Sequence, residues 1–237
     1  MSSSPAATDF GEFKKLALLS MEDICRDIYR ENRDTIKIKK EHVAVKNLAL
    51  IFDATLKLSA RKGFQAMGLR DLCRETSLSM GALYSYFTGK DALLDIILQQ
   101  GRRIVKRMLE EAMSGNAGAL EKLHAAVRTH LYLSEVLQGW FFFAFMETKN
   151  LGREEQKAAM ASELYTEKVF SDILDEGAAT GVFAAGDSAF TASLIKAMLQ
   201  DWYLKRWKYR QRGVSVELYG DFIISAIEKI IMGTSKN

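Results

Sequence analysis

Proline is nearly missing from this chain. Of 237 residues only Pro5 is one, and it sits in the opening stretch. Because proline breaks helix interiors and punctuates loops, its scarcity favours an all-α protein. Cysteine is also scarce. Cys25 and Cys73 supply neither a disulfide framework nor a metal spacing, which suits a reducing, cytoplasmic setting. No apolar run approaches the ~20 residues needed to cross a bilayer. The opening "MSSSPAATDFGEFKK" lacks the charged-then-apolar order of a secretory leader. Paired carboxylates, a nucleophile with its base and a phosphate-cradling loop are all lacking, so no catalytic chemistry and no cofactor are expected. His124 and His130 lie six positions apart and share a helix face poorly, so no metal is expected either.

What is present is apolar and unevenly charged. Hydrophobic residues make up 48% of the chain, enough for a substantial core in one large domain or two small ones. Net charge is +3, but residues 37–107 hold 14 basic against 6 acidic side chains. That segment carries an excess of eight positive charges and leaves the remainder five charges acidic. A basic segment in a mildly acidic chain is the footprint of a protein that meets a polyanion.

Apolar spacing reads as helix after helix. Residues 1–8 read as a disordered tail. An amphipathic stretch follows from Asp9 to about Arg30, with Phe10, Phe13, Leu16, Met21, Ile24 and Ile28 on one stripe. "RENRDTIKIKKEH" reads as a polar connection. A second helix spans Val43–Arg61 and ends at Gly63. Two short helices, near Leu69–Thr76 and Ser79–Phe87, flank a tight break at Ser77–Leu78. A longer helix opens at Gly89 or Lys90 and stops at "SGNAG". Two or three more run to Asn150, then one over Arg153–Thr180, and a closing pair over Asp187–Arg210 and Val214–Met232.

The stretch "SLSMGALYSYFTGK" (Ser77–Lys90) does not have the composition of a core segment. Two short helices across a tight turn, with a supporting helix before them, make a helix-turn-helix, whose second helix enters the DNA major groove. Small residues at Gly81 and Ala82 allow its backbone to approach base edges. Ser79 is placed to cap it, and the helix start favours phosphate. Tyr84 and Tyr86 carry hydroxyls suited to phosphate oxygens, while Leu83 and Phe87, four apart, anchor the helix inward. Lys90 stands in the first turn of the next helix, where a cation is unfavourable for the dipole, so phosphate contact explains it.

Residues Ala49–Leu98 resemble the DNA-binding segment of the TetR family of bacterial transcriptional regulators. The matching elements are Gly63-Phe64, Leu69-Arg70-Asp71-Leu72, Gly81-Ala82-Leu83-Tyr84, Tyr86-Phe87, and Lys90 with Leu93. The resemblance implies that Arg70 reaches bases or phosphates, that Met80, Gly81 and Ala82 face the bases, and that Tyr84, Tyr86 and Lys90 grip phosphates. Three features depart from the family's habit. Met67-Gly68 replace a Ser or Thr cap, Ser77 stands where the turn usually has glycine, and Met80 offers thymine methyl contact rather than a strong hydrogen bond.

The same resemblance assigns residues 40–88 to DNA binding, 89–237 to effector binding and dimerisation, and 1–39 to a tail with an extra amphipathic helix. That N-terminal extension can pack on the body, touch a dimer mate, or carry Lys37, Lys39 and Lys40 as an arm toward phosphate. "SEVLQGWFFFAFMETK" is apolar all round and is expected to be buried, as core or as the wall of an apolar effector cavity lined by Trp140, Phe141, Phe143, Phe145 and Met146. "DWYLKRWKYRQRG" resembles family members that sense fatty acyl or acyl-CoA effectors, with Trp202 and Arg206 near the ligand. Leu194, Met198, Phe222, Ile223, Ala226, Ile227 and Ile230 outline two stripes for a homodimer interface. The expectation is a repressor released from a palindromic operator by a small, largely apolar effector. An effector-independent architectural DNA-binding protein is the alternative, with a helical enzyme behind it.

Overall fold

The computed structural model describes residues 9–17, 21–114, 117–184 and 186–232. The expected tail at 1–8 lies outside the described residues, as do Gly115 and Asn116 of the "SGNAG" break. Among the described residues every regular element is helical and no strand occurs.

The chain divides into two compact units. The first contains the described parts of Ala17–Arg103 together with Gly139–Gln156. Its elements are α2 (Met21–Glu31), α3 (Glu41–Lys62), α4 (Leu69–Thr76), α5 (Met80–Leu83), the first part of α6 (Lys90–Ala112), and most of α8 (Gln138–Glu147) with the short 3-10 turn Thr148–Asn150. Helix α3 buries Ala44, Val45, Leu48, Ile51, Phe52, Thr55 and Leu58, a three-to-four-residue spacing that keeps one stripe inward. It ends where Gly63 adopts φ +79° and donates its N–H to the Ser59 carbonyl at 2.8 Å. Helix α2 packs on α3 through buried Ile24, Cys25, Ile28 and Tyr29. Burial in this apolar contact pushes the Cys25 thiol up to about 12, with Glu22 adding to the rise.

The second unit contains the described parts of Met1–Leu16, Ile104–Gln138 and Lys157–Asn237. It holds most of α1 (Phe10–Ala17), the last part of α6, α7 (Ala119–Val136), most of α9 (Arg153–Ala179), α10 (Ser188–Leu204), α11 (Arg206–Gln211) and α12 (Val216–Ile231). Helix α7 is its centre, buried along most of its length. Phe10 and Phe13 of α1 lie 5.4 and 5.6 Å, ring to ring, from Tyr132 of α7. Helix α12 is tied to α7 by His124–Glu228 at 2.8 Å and Arg128–Asp221 at 3.1 Å.

Packing therefore groups the chain differently from the linear segments 1–39, 40–88 and 89–237. Helices α2 and α8 belong with α3, α4 and α5, whereas α1 belongs with α7. The helix expected over Asp187–Arg210 is two helices that break at Lys205, where φ is −119° and ψ 34°. The Asp201 carboxylate accounts for the turn: it gathers Lys205 at 2.7 Å, Lys208 at 2.5 Å and the Tyr209 hydroxyl. Partial burial raises its pKa, but those three hydrogen bonds outweigh burial and bring the carboxyl down to about 2.

Candidate DNA interface

The interface is built on short-range chemistry. Helix α4 starts at Gly68, which has no side chain to cap it. Asp71 compensates by accepting the Gly68 N–H at 2.9 Å. The same carboxylate holds Lys62 at 2.5 Å and pairs with Arg74. The hydrogen bond from Lys62, then that from the Gly68 N–H, then that from Arg74, hold the Asp71 carboxyl well below the usual range. Helix α4 ends at Ser77, which adopts φ 60°, ψ 17°, the left-handed conformation that the sequence demanded of it. The Thr76 hydroxyl accepts the Leu78 N–H at 3.2 Å across the turn.

The reading segment follows. Ser79 caps α5 by accepting the Ala82 N–H at 3.1 Å. The helix is shorter than the expected Ser79–Phe87: α5 itself is Met80–Leu83, continued by turns. Leu83 and Phe87 are buried and hold the segment to the core. Gly81 is exposed, Met80 and Ala82 are half-buried, and Tyr84 is 47% exposed. Nothing inside the fold requires glycine at 81. Its φ is not positive, and an added Cβ would meet only the Ser79 Oγ, at 4.0 Å. Arg70 is exposed on α4 and has no acidic partner among the described residues.

Two expected phosphate contacts are corrected. Tyr86 is 1% exposed, and its hydroxyl accepts from Asn47 Nδ2 at 2.9 Å. Tyr84 and Tyr86 are two apart, so the backbone turns one outward and the other inward. Lys90 is half-buried, and its ammonium donates to the carbonyls of Phe64, Gln65 and Met67 at 3.1, 3.0 and 3.3 Å. It also lies 4.9 Å from the centroid of the Phe64 ring. The awkward cation in the first turn of α6 is explained by the loop between α3 and α4, which it holds.

Residues 51–97 match the family described as "Bacterial regulatory proteins, tetR family", and residues 116–229 match "Tetracyclin repressor-like, C-terminal domain". The chain belongs to the TetR family. It is thus a DNA-binding transcriptional regulator. The TetR-family regulator from Rhodococcus RHA1 superposes with a TM-score of 0.71 at 22% identity, covering 78% of this chain and 97% of that one. Bacillus subtilis FadR, solved in complex with stearoyl-CoA, superposes with a TM-score of 0.61 at 18% identity, covering 76% and 97%. In sequence, the HTH-type transcriptional regulator HbdR of Aromatoleum sp. (strain CIB) is 20% identical over 186 residues, 78% of this chain and 81% of that protein.

The apolar run of this TetR-family chain is not buried all round. Trp140, Phe141 and Phe143 pack within the unit that carries the reading segment. The Trp140 Nε1 donates to the Ile97 carbonyl at 2.9 Å, and Phe143 meets Phe64 edge-on at 5.6 Å. Phe145 and Met146 are 49% and 42% exposed, which corrects the expectation of complete burial. Glu147, missed by sequence reasoning, is buried on α8 and accepts the Phe64 N–H at 3.2 Å. No local pattern pointed to it, because its partner is 83 positions away.

In the second unit, Trp202 and Arg206 are already engaged. Glu135 accepts Arg206 Nε at 2.8 Å, Arg206 Nη2 at 3.0 Å and Trp202 Nε1 at 3.0 Å. The guanidinium lies 4.3 Å over the fully buried Trp202 ring. Both residues thus have a structural duty that the expectation of ligand contact did not include. Sequence reasoning also missed Lys196, buried on α10 with Glu163 at 3.1 Å. Burial pulls the Lys196 pKa down against the pull of Glu163. Burial, then the Lys196 charge, pushes His130 well below its ordinary value. Among the described residues no group of three or more His, Cys, Asp or Glu could hold a metal, and no helix is long and apolar enough to cross a membrane.

The expected dimer stripes divide. Leu194, Phe222 and Ile230 are 55%, 69% and 51% exposed, and Met198 and Ala226 are half-buried. Ile223 and Ile227 are each 1% exposed and belong to the chain's own core, a correction that follows from their offset around α12. Phe190 and Leu218, which the sequence reading passed over, are exposed on α10 and α12.

Proposed function

We propose that the protein is a homodimeric repressor that reads a palindromic operator through Ser79–Tyr84 and leaves it when a small, largely apolar effector binds. Gly81 carries the reading. A glycine with ordinary φ and open space beside it answers no internal need, so its smallness serves the approach of another molecule. Arg70 and Tyr84, exposed on the same unit, supply the polar groups for bases or phosphates. Residues 40–88 supply the DNA-reading surface within the unit that also holds α2 and α8, and the unit built around α7 supplies the effector and dimer surfaces. Exposed Leu194, Phe222 and Ile230 supply an apolar surface for two-fold pairing, which sets two reading segments on inverted half-sites. The effector class is fatty acyl or acyl-CoA, supported by the stearoyl-CoA bound to B. subtilis FadR, which shares the fold. Coupling of roughly 1–3 kcal/mol between effector and operator is enough for such a switch.

The test is to enrich duplexes from a random-sequence pool with the purified protein and sequence them. Expected are inverted repeats whose complexes dissociate when long-chain acyl-CoA is added. Arg70→Ala should cost about 1–3 kcal/mol in affinity if Arg70 reads a base, with relaxed preference at one position of each half-site. Enriched sequences without two-fold symmetry overturn the dimeric reading. Complexes indifferent to fatty acids and acyl-CoAs favour the effector-independent architectural protein.

A further inference from the structure

A second basic element sits at the edge of the reading segment. It is the extended connection between α2 and α3, residues 36–40, which precedes both family-matched regions. The connection is fastened along its length. Ile36 is buried and donates its N–H to the Asn32 carbonyl at 2.8 Å. The Tyr29 hydroxyl lies 3.1 Å from the carbonyls of both Ile38 and Lys39. The Lys37 N–H donates to the Ser85 carbonyl at 2.9 Å. Ser85 directly follows Tyr84, so this bond ties the connection one residue away from an exposed side chain of the reading segment.

Three cations line this fastened connection. Lys37, Lys39 and Lys40 are all exposed, and none has an ion-pair partner among the described residues. The nearest acid in sequence, Glu41, is taken up by Arg26 and Arg30, each at 3.6 Å. Lys40 precedes α3 and makes no side-chain cap bond, so no helix duty occupies it. Three unpaired ammonium groups within four positions repel one another, and a neighbouring polyanion relieves that repulsion. Because the backbone beneath them is already ordered, gripping such a partner costs little further chain entropy.

We propose that Lys37, Lys39 and Lys40 form a phosphate-binding shoulder that grips the DNA backbone flanking the groove read by Ser79–Tyr84. The inference rests on the reading that this segment faces DNA. Its ligand is the phosphate backbone of duplex DNA, so it adds affinity and salt dependence without adding base preference.

The test compares the wild type with the triple variant Lys37→Ala, Lys39→Ala, Lys40→Ala on the duplex that the wild type enriches from a random-sequence pool, titrated at several salt concentrations. Each lost contact should weaken binding roughly tenfold at about 0.1 M salt and flatten the slope of log K against log salt by about one unit. Base preference should be unchanged, and the triple lysine-to-arginine variant should restore both quantities. Affinity and slope equal to the wild type overturn the shoulder alone. So does lost affinity with an unchanged slope that arginine fails to restore, since that is the mark of a structural role. A wild type that enriches no duplex overturns the regulator reading and takes this inference with it, which separates the two failures.

Discussion

Lys90 shows how one side chain's duty is decided by partners rather than by position. Its ammonium fills the place of three backbone donors in the loop between α3 and α4. Removing it leaves three carbonyls without that partner, and hydrogen bonds to a charged group are worth about 1.5–3 kcal/mol each before relaxation and water are counted. Lys90→Ala should therefore lower the stability of the fold by about 1–3 kcal/mol in urea unfolding. The salt slope of DNA binding should stay where it was. A slope flatter by about one unit with unchanged stability would return Lys90 to the phosphate contacts. Tyr86 teaches the same lesson with a clearer signal: two positions on from an exposed Tyr84, the turn leaves it facing inward, toward Asn47.

At the scale of elements, the turn between α4 and α5 carries a built-in cost. Ser77 is the one non-glycine residue with positive φ among those described. An L-residue held in the left-handed region gives up about 1–2 kcal/mol, part of which glycine recovers. Ser77→Gly should raise stability by about 0.5–1 kcal/mol, and Ser77→Val should lower it by about 1–2 kcal/mol. Thermal melting of the two variants decides it, and a destabilised glycine variant would refute the turn's geometry. Helix α8 behaves differently, because long-range packing shapes it. A Cβ at Gly101 of α6 would lie 1.8 Å from the Trp140 ring, so glycine there makes room for the indole. The composition of "GWFFFAFM" announced burial, but α8 has ten residues and covers only one side of itself, so Phe145 and Met146 stay exposed.

For the whole molecule, the exposed apolar positions of α10 and α12 are the surface proposed to join two copies. Leu194→Asp with Phe222→Asp places charge on exposed apolar positions of α10 and α12 without touching the core. Sedimentation should then show a monomer in place of a dimer. Operator affinity should fall toward the nonspecific level, on the order of 10³-fold or more. A variant that remains a dimer would move the interface elsewhere. Much of the DNA-reading unit was legible beforehand because its signals are local: the Ser79 cap, the Ser77 turn and the Leu83–Phe87 anchor each join residues no more than four positions apart. The linear segmentation was less legible, since helical periodicity tells which face turns inward and not which helix it meets. The sequence by itself determined an all-helical chain with a helix-turn-helix, because near-absence of proline, apolar spacing and capping act over a few residues. Only the tertiary structure decided that Lys90 serves a loop 25 residues back, that Glu147 reaches Phe64 across 83, and that Glu135 holds Arg206 across 71. Such pairs are chosen when helices distant in sequence pack together, and no local pattern encodes that choice.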